Sequence, residues 1–321
     1  MTPTRRHDST LWETELDTGD PTRVSDPTRV SDLLREAISL LTAAEVPTPE
    51  TDALTLLAHA WGIDRTALSR KRLFDDPVPT DTRNEFARLC ERRRARVPLQ
   101  HLTGIAHFRH LELRVGPGVF VPRPETELIV GAALAELTGR GRTGRPFVID
   151  LCSGSGAITL ALATEFEGVD VLGVERESAA LDWARENLGL TRLGDSTVEF
   201  LQADATTITA SRPQLIGHAD VVVTNPPYVP DDAVPRDREV ADHDPAAALY
   251  GGESGLEVPA LIVVEAESLL RPGGLLLMEH GEEQGERVRE LMESTASLRQ
   301  AATHPDYTGR DRFTLARRQA P

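Results

Sequence analysis

Four consecutive residues late in the chain could bind a planar nitrogen group: Asn225, Pro226, Pro227 and Tyr228. They follow residues 221–224, whose apolar character predicts a buried strand. Proline has no N–H and a fixed φ, so the Asn225 side-chain oxygen and the Pro226 carbonyl are acceptors with little local donor competition. Tyr228 could stack on a flat group. The segment therefore fits the NH₂ of an amide or an exocyclic amine, and the alternative is a plain proline-rich loop.

A turn rich in glycine and serine forms the second candidate site. It follows the apolar residues 147–151 and contains Asp150, Cys152, Ser153, Gly154, Ser155 and Gly156. Glycine lets the backbone turn sharply and approach a ligand closely. Such a turn before a helix is typical of nucleoside cofactor sites, including those for nicotinamide cofactors, but a strand-to-helix turn without any ligand is a further interpretation.

Two carboxylates follow the next predicted strands. Glu175 ends the strand over residues 169–175 and could accept both hydroxyls of a ribose. Asp204 comes after the strand over 198–202, where it could accept a hydrogen bond from an adenine amino group, with Ala205 beside it. Each carboxylate alone could simply be solvated. Together with the glycine-rich turn, they indicate a nucleoside cofactor.

An amide nitrogen is a poor nucleophile, because its lone pair is delocalised into the carbonyl. Two acceptors that hold both N–H groups would aim this nitrogen at the methyl group of a sulfonium cofactor, and orientation of this kind contributes roughly 7–11 kcal/mol in the best cases. Positive charge moves to the nitrogen during transfer, so fixed carbonyl dipoles stabilise the transition state. The proton can leave afterwards, and no general base is needed.

From residue 147 onward, short apolar segments alternate with segments of helical periodicity. Helices are predicted from near residue 156 and over 178–188, 258–270 and 284–293, and strands over 147–151, 169–175, 198–202, 220–224, 275–279 and 312–316. This alternation predicts an α/β fold whose mostly parallel sheet is covered by helices on both faces. Ligands of such sheets bind at the carboxyl ends of the strands, where both candidate sites fall.

The preceding chain divides into three parts. Residues 1–30 predict a disordered tail, which contains most of a tandem DPTRVS repeat over 20–31. Residues 31–104 predict a small helical domain for partner binding, with Ser31 or Asp32 capping its first helix and further helices over 51–61 and 80–94. Residues 105–122 predict a β-hairpin linker with Gly116, Pro117 and Gly118 between its strands. The larger domain then spans 123–321 and begins with a helix over 125–137.

Composition argues against several other classes of protein. The chain has 51 acidic and 35 basic residues, a net charge of −16, which repels phosphate backbones; direct nucleic-acid binding is not expected, and the basic run over 92–96 is assigned to a helix end. The sequence shows neither a secretory signal nor an apolar run long enough to span a membrane, so a cytoplasmic protein is predicted. Cys90 and Cys152 are far apart, and the histidines lack ligand spacing, so no metal site is predicted.

Several blocks of the sequence resemble the bacterial release-factor glutamine methyltransferases, also called PrmC or HemK, over about residues 33–317. Besides both candidate sites, the matching blocks are RVPLQHLTG at 96–104, VFVPRPETE at 119–127, LYGGESGL at 249–256, EHG at 279–281 and DYTGRDR at 306–312. The Asn-Pro-Pro-Tyr segment is shared with adenine-N6 methyltransferases. PRPETE at 122–127 separates this family from relatives that methylate a ribosomal-protein glutamine.

The resemblance implies a Rossmann-like class I methyltransferase domain that transfers a methyl group from S-adenosyl-L-methionine to the side-chain amide nitrogen (N5) of a glutamine. That glutamine would lie in the Gly-Gly-Gln motif of class 1 peptide chain release factors, held by the helical domain. The alternatives are methylation of another protein, such as a ribosomal protein, methylation of adenine in nucleic acid, and a non-catalytic binding role.

The resemblance also assigns roles to individual residues. Cofactor contacts are implied for Asp150, Cys152, Ser153, Gly154, Ser155, Gly156, Glu175, Asp204, Ala205 and Asn225. The glutamine amide would bind Asn225, Pro226, Pro227 and Tyr228, of which Asn225, Pro226 and Tyr228 are the predicted catalytic residues. The active-site mouth would lie near Phe120, Arg123, Pro124 and Glu125.

Two positions depart from the family pattern. Cys152 stands where the family usually has glycine, so its backbone must adopt φ < 0 or tolerate strain. Ala205 stands where some relatives have an aromatic residue, and the adenine would then lean on another apolar wall.

Overall fold

The computed structural model describes residues 28–139 and 144–320. Its first part is a helical bundle formed by α1 (Val30–Ala43), α2 (Pro49–Trp61), α3 (Arg65–Phe74), α4 (Thr80–Arg94) and α5 (Leu99–Thr103). Apolar residues at helical spacing on α1, α2 and α4 meet in one buried cluster, represented by Leu34, Leu41, Leu56, Leu57, Phe86 and Leu89. The apolar residues that gave this part of the sequence its helical periodicity therefore form a core of their own, separate from the core of the sheet.

Helix α1 begins earlier than predicted. Arg29 forms a β-bridge with Pro77, and the Thr28 carbonyl accepts a hydrogen bond from Val78 N at 3.0 Å. The Ser31 N–H donates to Asp75 Oδ1 at 2.9 Å. Ser31 and Asp32 thus lie inside the helix, and the prediction that one of them is the N-cap is wrong, because tertiary pairing decides the start. The rest of the predicted tail, including the first DPTRVS copy, lies outside the described residues.

The linker is a β-hairpin, but its turn lies earlier than predicted. Strand β1 (Ile105–Phe108) pairs antiparallel with β2 (Leu111–Arg114). The chain reverses at Arg109 and His110, and Arg109 has a φ of 52°. Gly116 follows the hairpin instead, where an added Cβ would lie 2.6 Å from Trp183 Cζ2. The glycine there allows close packing and does not form the hairpin turn.

The remaining chain forms an α/β domain. After a 3₁₀ turn, Pro124–Thr126, come α6 (Glu127–Gly139), β3 (Phe147–Leu151), α7 (Ala157–Glu165), β4 (Asp170–Glu175), α8 (Ser178–Leu190), β5 (Thr197–Gln202), α9 (Ile208–Ser211) and β6 (Ala219–Thr224). Then follow α10 (Arg238–His243), α11 (Ala246–Leu249), α12 (Glu257–Leu269), β7 (Leu270–Glu279), α13 (Gly285–Glu293), β8 (Leu298–Pro305) and β9 (Asp311–Arg318).

The strands form a seven-stranded sheet in the order β5-β4-β3-β6-β7-β9-β8. Strands β3 to β7 run parallel, and β9 pairs antiparallel with both β7 and β8. Apolar clusters cover both faces of the sheet. The predicted α/β fold with a mostly parallel sheet is therefore confirmed. Edge strand β8 was not predicted, because its half-exposed residues show no clear alternation.

The structure gives two further results on classes of site. Within residues 28–139 and 144–320, no helix has the length and apolarity needed to cross a membrane. In the same ranges, no three residues among the histidines, cysteines, aspartates and glutamates are grouped so that they could hold a metal ion.

Candidate active site

A cavity of about 390 Å³ opens at the carboxyl ends of β3, β4 and β6, a size typical of small-ligand sites. Parallel pairing places Leu151 of β3 beside Thr224 of β6. The glycine-rich turn and residues 225–228 therefore leave adjacent strands at the same edge. The predicted residues that line this one cavity are Phe120, Arg123, Glu125, Cys152, Ser153, Gly154, Ser155, Glu175, Asp204, Ala205, Asn225, Pro227 and Tyr228.

Four predicted residues lie outside the cavity lining: Asp150, Gly156, Pro226 and Pro124. Asp150 is fully buried, and its Oδ2 accepts hydrogen bonds from Thr159 N at 3.1 Å and Thr159 Oγ1 at 2.6 Å. Burial raises the pKa of Asp150 to about 7. This carboxyl group binds the first turn of α7 from inside the protein, which is a supporting position, and its cofactor contact stays a prediction.

The backbone of the glycine-rich turn is left-handed at several positions. Gly154 has a φ of 55° and Gly156 a φ of 83°. A Cβ on Gly156 would lie 2.7 Å from Phe200 Cζ, so packing as well as conformation requires glycine there. Cys152 has a φ of 66°. The backbone is therefore in the left-handed region, which is strained for a residue with a Cβ, and does not adopt the alternative of a negative φ. Burial raises the pKa of the Cys152 thiol, which keeps it neutral.

Glu175 supports this turn from the end of β4. Its Oε2 accepts a hydrogen bond from Gly154 N at 2.9 Å, and its Oε1 accepts one from Glu177 N at 2.8 Å. Burial raises the pKa of Glu175 despite these backbone hydrogen bonds. The carboxylate is thus at the cavity wall and already oriented.

Asp204 lies at the same wall, after β5. Its Oδ1 accepts hydrogen bonds from Thr206 N at 2.9 Å and Thr206 Oγ1 at 2.7 Å. Partial burial raises the pKa of Asp204, but these two hydrogen bonds outweigh it and hold the pKa below its usual value. Asp204 is therefore a fixed anion beside the buried Ala205.

The Asn225–Tyr228 segment is held in place by glycines and by Gln284. A Cβ on Gly251 would lie 2.5 Å from the Pro227 carbonyl oxygen, and one on Gly255 would overlap the Tyr228 carbonyl. Gln284 Nε2 donates to that same Tyr228 carbonyl at 2.9 Å, while Gln284 Oε1 accepts from Gly281 N at 2.8 Å. Two blocks that carried the family resemblance thus form the support behind these four residues.

Glu279 is a cavity residue that sequence reasoning did not single out. It ends β7, lines the cavity and is 3% exposed. Burial raises its pKa to about 7, and hydrogen bonding to Thr126 and Asn225 acts in the opposite direction. The sequence did contain a sign of this position: Glu279 is an acidic residue directly after the apolar residues 275–278, where a parallel strand reaches the ligand-binding edge of the sheet.

An ion pair between an arginine and an aspartate lies beside the cavity, and its Arg123 lines the cavity. Arg123 Nη2 lies 3.0 Å from Asp244 Oδ2, and its guanidinium carbon is 5.2 Å from the Phe120 ring centroid. Burial raises the pKa of Asp244 to about 6, although Arg123 lowers it. The family resemblance predicted Phe120 and Arg123 near the active-site mouth. Asp244 lies in none of the matching sequence blocks and was not predicted.

A buried ion network joins the helical bundle to the same side of the cavity. Arg93 contacts both Asp52 at 2.7 Å and Glu239 at 2.8 Å, and Arg96 contacts Glu239 at 2.7 Å. Glu239 lies on α10, whose Val240 lines the cavity. The basic run over 92–96 does end a helix, as predicted, and two of its members also link the two regions.

Three curated proteins named release factor glutamine methyltransferase are similar to this chain over almost their whole lengths. The Bifidobacterium longum protein is 43% identical, with 88% of this chain and 98% of the relative covered. The Streptomyces coelicolor protein is 42% identical, with 89% and 97% covered. The Mycobacterium tuberculosis protein of strain H37Rv is 40% identical, with 89% and 91% covered. The chain belongs to the release factor glutamine methyltransferase family.

Two family models agree with the division seen in the structure. The model described as PrmC N-terminal domain matches residues 32–104, which cover the helical bundle from the third residue of α1 onward. The model described as methyltransferase domain matches residues 147–316, from β3 into β9. In this family member, the hairpin and α6 connect the two matched regions.

Proposed function

We propose that this protein methylates the N5 side-chain amide nitrogen of the glutamine in the Gly-Gly-Gln motif of class 1 peptide chain release factors, with S-adenosyl-L-methionine as donor. One observation carries the proposal beyond family membership. The glycine-rich turn and Asn225 leave neighbouring parallel strands and line one cavity. A donor bound at the turn and an amide bound at Asn225 would share that space.

The residues at the turn fit S-adenosyl-L-methionine. The Ser153 hydroxyl lines the cavity, is buried and has no hydrogen-bond partner among the described residues, so it can bind a polar ligand atom. Glu175 and Asp204 supply oriented acceptors for ribose hydroxyls and an adenine amino group. We assign the methionine part to Cys152, Ser153, Gly154 and Ser155, and the adenine to Asp204 and Ala205.

The Asn225–Tyr228 segment binds and orients the glutamine amide in this proposal. Asn225 Oδ1 and the Pro226 carbonyl accept its two N–H groups, and Tyr228 covers its flat face. Pro226 does not itself line the cavity, but its neighbours Asn225 and Pro227 do. S-adenosyl-L-methionine would supply the methyl group from its sulfonium centre. A carbon–nitrogen bond would form as the carbon–sulfur bond breaks, sulfur would keep the bonding electron pair, and the nitrogen would then lose a proton to water. The fixed oxygens of Asn225 and Pro226 stabilise the positive charge that develops on the amide.

The helical bundle holds the release factor in this proposal. The ion network through Glu239 places the bundle beside the cavity, so a bound protein could extend a loop into it. The net charge of −16 suits a basic protein partner. The reaction takes place in the cytoplasm, with no nucleic acid bound directly by the enzyme.

Methyl transfer to purified release factor tests this proposal. Labelled S-adenosyl-L-methionine is incubated with wild-type release factor and with a variant whose Gly-Gly-Gln glutamine is alanine. Label on the wild type alone is expected. If neither release factor is labelled while the enzyme still binds the cofactor, the proposed substrate is wrong. Ribosomal proteins and adenine in nucleic acid would then be tested as substrates.

A further inference from the structure

Glu279 and Asn225 are brought together by the register of two strands. On the paired strands β6 and β7, Thr224 lies opposite Met278. The next residues, Asn225 directly after β6 and Glu279 at the end of β7, therefore lie at the same level, and both line the cavity. Glu279 Oε2 is buried and has no hydrogen-bond partner among the described residues.

Thr126 completes a polar chain with these two residues. It lies on the 3₁₀ turn before α6 and is 5% exposed. Asn225 Nδ2 donates a hydrogen bond to Thr126 Oγ1 at 3.4 Å. Glu279 lines the same cavity as Thr126 and Asn225, and hydrogen bonding by these two side chains lowers the pKa of the Glu279 carboxyl group against the larger effect of burial.

The carboxylate of Glu279 determines which group donates and which accepts in this series of hydrogen bonds. An ionised carboxylate can only accept hydrogen bonds, and a threonine hydroxyl has a single hydrogen to donate. If Thr126 donates to Glu279, it must accept from Asn225, which must then present its NH₂ end. The Asn225 Oδ1 atom is left for a ligand.

We propose that Glu279 is a positioning residue, which acts through Thr126 to hold the Asn225 amide in the orientation that offers Oδ1 to the substrate. Its importance for catalysis rests on the proposed function. The orientation of the Asn225 amide is a property of the protein alone and can be measured without any substrate.

Protonation of Glu279 should release this constraint, because a carboxylic acid can donate a hydrogen bond to Thr126. Thr126 could then donate to Asn225, whose amide would be free to turn over. Burial places the pKa of Glu279 at about 7, and Glu125 raises it while Arg312 lowers it. Tyr228 also faces this group, since burial and, after it, the charge of Glu279 raise the pKa of the Tyr228 hydroxyl. The ionised form is the orienting one, so the orientation is lost as pH falls through about 7.

Nuclear magnetic resonance of side-chain amides tests this directly. The chain contains only three asparagines, Asn84, Asn187 and Asn225, so ¹⁵N-asparagine labelling yields few signals, and Asn225→Ala assigns one of them. We expect the Asn225 NH₂ signal to shift with pH around neutrality, and Glu279→Gln to remove that shift.

The other two asparagines are internal controls. Asn187 Nδ2 donates to the Arg114 and Ser155 carbonyls, and Asn84 is exposed, so neither should follow Glu279. An unchanged Asn187 signal also shows that a variant is folded. A wild-type Asn225 signal that does not titrate near neutrality, or that titrates equally in Glu279→Gln, would overturn the inference.

Kinetics provide the second test. With release factor as substrate, wild-type kcat should rise with pH through about 7. Glu279→Gln should lower kcat by about tenfold or more at high pH and remove that pH dependence, with cofactor affinity unchanged. Thr126→Val should act in the same way, whereas Thr126→Ser should retain the pH dependence.

The control for these variants is Glu283→Gln at an exposed position, which should behave like the wild type. A Glu279→Gln enzyme that keeps the wild-type pH profile would contradict the positioning role. If the wild type methylates no release factor, the proposed function fails, and the amide spectra alone decide the orientation.

Discussion

The two ends of the cavity are built in different ways. At the glycine-rich turn, Asp204 binds Thr206, two residues away, and Glu175 binds Glu177 and the turn on the adjacent strand. At the other end, Asn225 binds Thr126 across 99 positions of sequence. The end proposed for the cofactor thus consists of strand-to-helix turns, whereas the end proposed for the substrate combines residues from remote segments.

This difference also concerns charge. The carboxylates at the cofactor end are anchored by backbone N–H groups or by a hydroxyl of the same turn. At the proposed substrate end, Glu279 is buried and Tyr228 is half-buried. Both are near Arg312, and burial raises the pKa of both. Substitutions at the cofactor end should therefore change binding or stability, and those at the substrate end should change turnover.

The largest effect is expected for Asn225→Ala. Loss of the oriented amide acceptor should reduce kcat by at least about 10²–10³-fold, while the affinity for S-adenosyl-L-methionine stays near that of the wild type. Methyl-transfer rates and calorimetric titration of the cofactor measure the two quantities. Retained wild-type turnover would remove Asn225 from the amide site.

Gly156→Ala should be the most damaging change at the cofactor end. Its left-handed φ and the short distance to Phe200 combine strain with overpacking, and the free energy of unfolding should fall by about 2–4 kcal/mol. Denaturant unfolding measures this loss.

Gly154→Ala is the matched control for Gly156→Ala. Gly154 is also left-handed, but an added Cβ there meets nothing within 4 Å, so only strain of about 1–2 kcal/mol should appear. Equal losses for the two variants would mean that contact with Phe200 contributes nothing.

Glu175→Ala should weaken cofactor binding before it affects turnover. Removal of a carboxylate that orients the turn and accepts ribose hydroxyls should raise the Kd for S-adenosyl-L-methionine by about 10–100-fold. The exposed Glu167 provides a control, Glu167→Ala. An unaltered Kd for Glu175→Ala would show that the ribose binds elsewhere.

The smallest effect is expected for Cys152→Gly. Glycine relieves the cost of φ 66°, but it also increases the entropy of the unfolded chain, so a stabilisation of no more than about 1 kcal/mol should remain. Thermal unfolding measures it, and Cys152→Ala, which keeps the Cβ, should show no gain. A destabilised glycine variant would mean that packing of the thiol outweighs the strain.

The parallel sheet was predictable because continuous apolar runs such as 221–224 reflect burial on both faces. The hairpin turn at Arg109 was not, because the more prominent turn residues serve packing instead: Gly116 lies against Trp183, and Gly118 lies against Ala179. Likewise, the start of α1 depends on pairing between Arg29 and Pro77, and no local capping pattern encodes a partner so far along the chain.

By itself, the sequence determined the fold class and the two motifs, since periodicity and turn chemistry are local properties that need no knowledge of distant contacts. It also indicated a common edge for both motifs, because parallel strands end on one side. Only the tertiary structure decided that Asp150 supports α7 from outside the cavity, and that Glu279 and Thr126 meet Asn225. Those contacts depend on strand register and on burial, which arise only when the whole sheet is assembled.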